Sequence, residues 1–202
     1  DGLVLAAETA IGEHPIECAS MISRMIENFE NGKECDEEEF LFESISQLVP
    51  PHGGSLINRE VPSEISEESH NLPSVRVSQE TLLDCELIAN GTYSPVAGFM
   101  DRETLESVLN KNRLPNGEIW TLPITLQIPD NKEARFGSGD RIALTDAGGE
   151  AYATMDVSEI FEVDLVNVTN QWFGTSSKDH PGVARILPAG NRFVGGDIEL
   201  LR

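Results

Sequence analysis

Up to about Trp120 the apolar residues recur mostly at helical spacing, and beyond it they alternate with polar ones, so the pattern changes from helices to strands. Val75-Arg76-Val77 alternates as an edge strand would. Ser78 then stands where a helix cap belongs, and Thr81 to Ile88 places apolar residues at helical intervals before Asn90-Gly91 ends the run. Asp101 is positioned to cap a second helix, in which Leu105, Val108 and Leu109 share a face. The stretch Gly91 to Met100 is expected to be an ordered bridge between these two helices. Thr121 to Ile128, Arg141 to Thr145 and Ala151 to Val157 each alternate, and Asp146-Ala147-Gly148-Gly149-Glu150 between the last two is a hairpin signal. Several short strands bounded by turns predict a small barrel with helices packed beside it.

The front of the chain reads differently. Leu3-Val4-Leu5 suits a buried strand, and Glu8 to Gly12 a polar loop. Pro15 is favourable at a first helical position, and Ile16, Ala19, Met25 and Ile26 give the following helix one apolar face. A single strand-loop-helix unit cannot bury both faces of its strand, so this segment is expected to be the end of an α/β fold. Residues 33–50 begin with the charge run Glu34 to Glu39 and continue into Phe40, Leu41, Phe42, Ile45 and Leu48, which predicts an acidic linker with a short amphipathic helix. Pro51-His52-Gly53-Gly54 combines turn residues; with no lysine and no helix pattern after it, a structural turn is preferred to a phosphate or metal loop.

Charge narrows the function classes. The net charge is -21, with 12 acids against 2 bases in residues 1–50. Such a surface repels phosphate backbones, because nucleic-acid affinity comes largely from Lys and Arg displacing counterions; no nucleic-acid partner is expected. No run of apolar residues is long enough to span a bilayer, so no membrane partner is expected either. The chain opens on Asp1 without a secretory signal and reads as a piece of a longer polypeptide. Cys18, Cys35 and Cys85 lie far apart with no C-x-x-C pair, which indicates reduced thiols and a cytoplasmic setting. Nothing in the sequence specifies an oligomeric state.

Asp1 to Pro15, with Glu8-Thr9-Ala10 and Gly12 at its centre, resembles the last strand and helix of the pyruvate kinase barrel, a TIM-type fold. The chain departs from that pattern at Ala6-Ala7 and His14, where the family usually has Ser-Gly and Tyr. The resemblance implies that Thr9 sits at the barrel mouth and helps to hold the carboxylate of phosphoenolpyruvate, the place where barrel enzymes do chemistry. The family's metal-binding carboxylates and catalytic lysine lie on earlier strands absent here, so Thr9 alone transfers no phosphoryl group. A Thr9 that merely ends a strand in a barrel remnant is the equal alternative.

A longer set of blocks carries a second resemblance. Pro51 to Arg59, Gly91 to Met100, Arg113 to Gly117, Trp120 to Leu126, Gly139 to Leu144, Phe173-Gly174-Thr175, His180-Pro181-Gly182-Val183 and Val194-Gly195-Gly196 fall in the order seen in the N-terminal domain of ATP sulfurylases, the sulfate adenylyltransferases. The resemblance implies a PUA-like fold, hence α+β: a small mixed β-barrel with flanking helices. Adenylyl transfer in that family occurs in a following α/β nucleotidyltransferase domain, through Q-x-R-N-P and H-x-x-H segments. Neither motif is present, since His14, His52, His70 and His180 are never three residues apart.

Gly91, Pro95, Gly98 and Phe99, and separately His180, Pro181 and Gly182, are therefore expected to be structural motifs rather than catalytic groups. His180 is expected to stabilise its loop, Trp120 and Trp172 to be core, and Gly195-Gly196 to be a turn or a close backbone approach. The expected organisation is a pyruvate-kinase-like end over 1–32, a linker over 33–50 and a PUA-like domain over 51–202. This is a noncatalytic module that binds no cofactor or metal by itself and whose partner is a downstream or separate catalytic domain. Magnesium and potassium belong to the parent enzymes. The alternative is a binding or regulatory module of a pyruvate-kinase-like phosphotransferase.

Overall fold

The computed structural model describes residues 51–61, 69, 71–129 and 136–201. The chain divides into two units, Asp1–Val49 and Pro50–Arg202, and the description concerns the second. The expected barrel remnant over 1–32, with Thr9, and the linker over 33–50 lie outside the described residues.

Seven strands make one mixed sheet: β1 (Glu60–Val61), β2 (Ser74–Arg76), β3 (Gly98–Phe99), β4 (Leu126–Ile128), β5 (Arg141–Thr145), β6 (Ala151–Glu162) and β7 (Arg192–Leu201). Its order is β1-β7-β6-β5-β2, with β3 and β4 also pairing β7. Strand β7 is the organising strand. One side pairs β6 antiparallel from Arg192 to Leu200. The other side is shared in succession by β4 at Arg192 to Val194, β3 at Gly196 and Asp197, and β1 at Leu200 and Leu201.

The sheet is open, which corrects the expectation of a closed small barrel. Its end strands β1 and β2 each have a single parallel partner, β7 and β5 respectively, and among the described residues they do not pair with each other. Two and three residues long, they offer too few ladder bonds to bridge the ends of a twisted sheet. The mixed α and β content stands.

Among the described residues the α-helices beside the sheet are α1 (Gln79–Ala89), α2 (Arg102–Lys111), α3 (Leu165–Phe173) and α4 (Pro181–Ile186). The first three are capped by their own sequence. Ser78 Oγ accepts from the Thr81 amide, Asp101 from the Thr104 amide and Asp164 from the Val166 and Asn167 amides, each satisfying a donor that the first helical turn leaves unpaired. The inner faces of α1 and α2 bring Cys85, Ile88, Leu105 and Val108 onto a core built from Ile142, Leu144, Met155, Phe161, Phe193, Val194, Ile198 and Leu200. Burying each large aliphatic side chain stabilises the fold by about 1.5–3 kcal/mol before entropy is subtracted. No described helix is long and apolar enough to cross a membrane.

Strand β4 is shorter than the alternation of Thr121 to Ile128 predicts, because Pro123 has no amide to give a ladder and strand pairing begins only at Leu126. Gly195 and Gly196 lie inside β7 and make a close approach rather than a turn. A Cβ on Gly195 would stand 2.5 Å from the Asp101 Cα, so this glycine lets the start of α2 lie directly against the sheet.

Candidate functional site

The Gly91 to Met100 stretch folds as a chain of short backbone turns. The Tyr93 amide donates to the Leu87 carbonyl at 3.0 Å, Ser94 to Gly91 at 3.0 Å and Val96 to Tyr93 at 2.8 Å. Gly91, Ser94, Val96, Gly98, Phe99 and Met100 are buried. The Ser94 hydroxyl accepts from the Ile57 amide at 2.9 Å and donates to the Gly91 carbonyl at 2.6 Å. Gly98 pairs Asp197 across β3 and β7, where a Cβ would collide with the Gly196 carbonyl. Pro95 follows a cis peptide bond and its ring fills the space beside Gly53, whose added Cβ would lie 2.7 Å from the ring.

Around this buried stretch the structure gathers residues far apart in sequence. His52 Nε2 donates to the Ile119 carbonyl at 2.7 Å; a carbonyl only accepts, so the proton sits on Nε2. The His52 ring lies 6.2 Å from the Trp120 ring, and Tyr93 meets Trp120 edge-on at 6.1 Å. Trp120 in turn donates its Nε1–H to the Leu122 carbonyl at 2.5 Å. The Tyr93 hydroxyl points at Asp84 across 3.5 Å, a long contact. Burial pushes both the Asp84 carboxyl and the Tyr93 phenol up from their ordinary values. Cys85, behind them on α1, is fully buried and its thiol is pushed up to about 12 by burial, which makes it inert at neutral pH.

The His180-Pro181-Gly182 motif lies elsewhere, at the start of α4. Trp172 stacks on Phe173 at 4.8 Å and Phe173 meets the His180 ring at 4.7 Å. A Cβ on Gly182 would stand 2.6 Å from the Phe173 ring edge, so glycine is what lets α4 sit against that ring. His180 gives α4 no side-chain cap, and its Nδ1 is enclosed without a hydrogen-bond partner among the described residues. Arg185, on α4, acts electrostatically on Asp84, the partner of Tyr93. Trp120 and Trp172, expected in the core, are both half-buried; Trp120 packs against the core margin, whereas Trp172 stacks on Phe173.

A separate open groove of about 790 Å³ runs beside α2, lined among others by Arg102, Glu103, Glu106, Lys111, Arg113 and Glu159. Its charges offset one another: Arg102 pairs with Glu159 at 3.6 Å while lying 5.0 Å over the Phe161 ring. Among the described residues no group of three or more His, Cys, Asp or Glu is arranged to hold a metal ion. The cluster of His52, Tyr93 and Trp120 was not legible in the sequence. His52-Gly53-Gly54 read as a turn, as it is, but nothing local announced that its ring reaches Trp120.

The sequence pattern of the PUA-like domain family matches residues 49–202. The sulfate adenylyltransferase of Persephonella marina is 37% identical over 155 residues, covering 75% of this chain and 40% of that protein. That of Staphylothermus marinus is 40% identical over 159 residues, covering 76% of this chain and 41% of that protein. Among solved structures, a hexameric APS kinase from Thiobacillus denitrificans superposes with a TM-score of 0.56 at 27% identity, over 76% of this chain and 27% of that one. The chain thus spans about 40% of the length of the sulfate adenylyltransferases it matches. With its sequence matched from residue 49 to its last and its sheet built on β7, this chain belongs to the PUA-like domain family and is related to the sulfate adenylyltransferases.

Proposed function

We propose that residues 51–202 serve as the noncatalytic PUA-like module of a sulfate adenylyltransferase-type protein, packing against the domain that converts ATP and sulfate to adenylyl sulfate. One observation carries the reading. The chain aligns over some 155 residues with sulfate adenylyltransferases, yet contains neither the Q-x-R-N-P nor the H-x-x-H segment that the family resemblance assigns to anion binding. Supporting it, the motifs shared with that family occupy architectural positions: Gly98 against Gly196, Pro95 against Gly53, and Gly182 against Phe173. The reading of Asp1–Gly32 as a pyruvate-kinase-type barrel end rests on its motif alone and adds nothing to this role.

The test is a pyrophosphate-release assay with ATP and sulfate. Residues 1–202 should give no turnover above the buffer rate, and the polypeptide that carries this chain should give turnover. Formation of adenylyl sulfate by the 202-residue chain alone would overturn the proposal.

A further inference from the structure

Where glycine follows asparagine, the main chain can react with its own side chain. With no Cβ in the way, the glycine nitrogen can close a five-membered ring on the asparagine Cγ. The sequence holds three such pairs, Asn31-Gly32, Asn90-Gly91 and Asn116-Gly117, and the last two lie among the described residues. The fold treats these two differently. Asn90 is exposed, but the groups that ring closure must move are fixed. Its own amide donates to the Glu86 carbonyl at 2.9 Å. Its Oδ1 accepts from the Thr92 amide at 2.9 Å and from the Thr92 hydroxyl at 2.7 Å. Gly91 is buried: its carbonyl accepts from both the amide and the hydroxyl of Ser94, and the Ile57 carbonyl stands 2.5 Å from where a Cβ would be. Turning the Gly91 nitrogen toward Cγ would break the turn from which the Gly91 to Met100 stretch is built.

Asn116-Gly117 sits instead at the tip of the turn closed by the antiparallel bridge of Arg113 with Ile119. Pro115, Asn116 and Gly117 are all exposed. A Cβ on Gly117 would meet nothing within 4 Å among the described residues, and Asn116 Oδ1 accepts from the Glu118 amide across a longer 3.1 Å. The Gly117 amide donates to the Leu114 carbonyl at 2.9 Å, but at the surface water can replace that bond, so local opening frees the nitrogen without disturbing the core. We propose that Asn116 is a site of spontaneous deamidation and that the fold protects Asn90 from the same reaction. The Gly117 nitrogen gives up its proton to solvent and bonds to Asn116 Cγ, and the Cγ–NH2 bond breaks to release ammonia. Water then opens the succinimide at either carbonyl, leaving aspartate or isoaspartate at position 116; no oxidant or reductant takes part. Either product sets a carboxylate near Arg113, whose Nη1 donates to the Gly117 carbonyl at 2.7 Å. Isoaspartate also inserts a main-chain carbon between Leu114 and Glu118, whose amide and carbonyl meet at 2.9 Å. Arg113, Leu114, Pro115 and Gly117 line the groove beside α2, so the wall of that groove changes as the protein ages.

The 202-residue chain, held in mildly alkaline buffer and sampled over days, tests this by peptide mapping with mass spectrometry and by isoaspartyl methyltransferase labelling. The Asn116 peptide should gain the mass of an NH2-to-OH exchange severalfold faster than the Asn90 peptide, and should accept methyl groups. In concentrated urea the two rates should converge. Asn90 keeping pace with Asn116 in the folded chain overturns the proposal, as does an Asn116 peptide that stays intact while the urea sample converts. A difference that persists in urea assigns the protection of Asn90 to its flanking sequence rather than to the fold, and overturns it too. Asn116→Gln should abolish the signal; methylation of the same peptide in that variant would place the reaction at another residue and sink the assignment.

Discussion

Asp84 shows how one half-buried carboxyl makes stability depend on pH. Burial raises it above its ordinary 3.8, and the Tyr93 hydroxyl only partly opposes the rise. A carboxyl with a raised folded-state value holds its proton more tightly in the fold than in the open chain. Its contribution is therefore fully present below 3.8 and is lost as pH climbs through the raised value. Asp84→Asn removes that dependence while keeping an oxygen for Tyr93. Measured as a difference in urea midpoint, the variant should gain on the parent progressively between acid pH and neutrality; a difference constant with pH would remove Asp84 from the account. The residue also marks where sequence reading stops. Helical spacing placed Asp84 on α1, but its desolvation comes from packing around Tyr93, which no periodicity encodes.

At the level of elements, what was legible is what local chemistry decides. Ser78 and Asp101 stood in the sequence as caps, and both accept hydrogen bonds from the amide three residues on. Arg141–Thr145 is a strand over the very residues whose alternation predicted it. Strand β6, by contrast, runs on to Glu162, five residues past the predicted end at Val157, because the register shift between Val157 and Glu159 breaks the two-residue period there. The contacts of His52 with Ile119 and Trp120 join segments too distant in sequence for any local signal. The caps permit a direct test. Asp101→Ala removes the acceptor of the Thr104 amide, held at 2.9 Å, and should lower stability by about 1 kcal/mol in chemical denaturation. Asp101→Ser should recover most of the loss; a silent alanine variant would mean that the contact of this turn with Gly195, rather than the cap, fixes the helix start.

At the scale of the described sheet, β7 is the common partner of β1, β3, β4 and β6, and it is the last of the described strands in the sequence. Two of those strands, β1 and β3, are only two residues long, and an isolated pair of that length is not stable in water. A chain stopped at Gly190 should lose protection from limited proteolysis at 60–61, 98–99 and 126–128, whereas the β5–β6 hairpin keeps its own pairing. Protection retained at 98–99 and 126–128 in that shortened chain would show that the helices alone hold these segments. For a ribosome making this protein the order matters. Synthesis delivers β7 after the other described strands, so β2, β5 and β6 can pair first while β1, β3 and β4 wait for their common partner, and this side of the sheet closes only when β7 arrives.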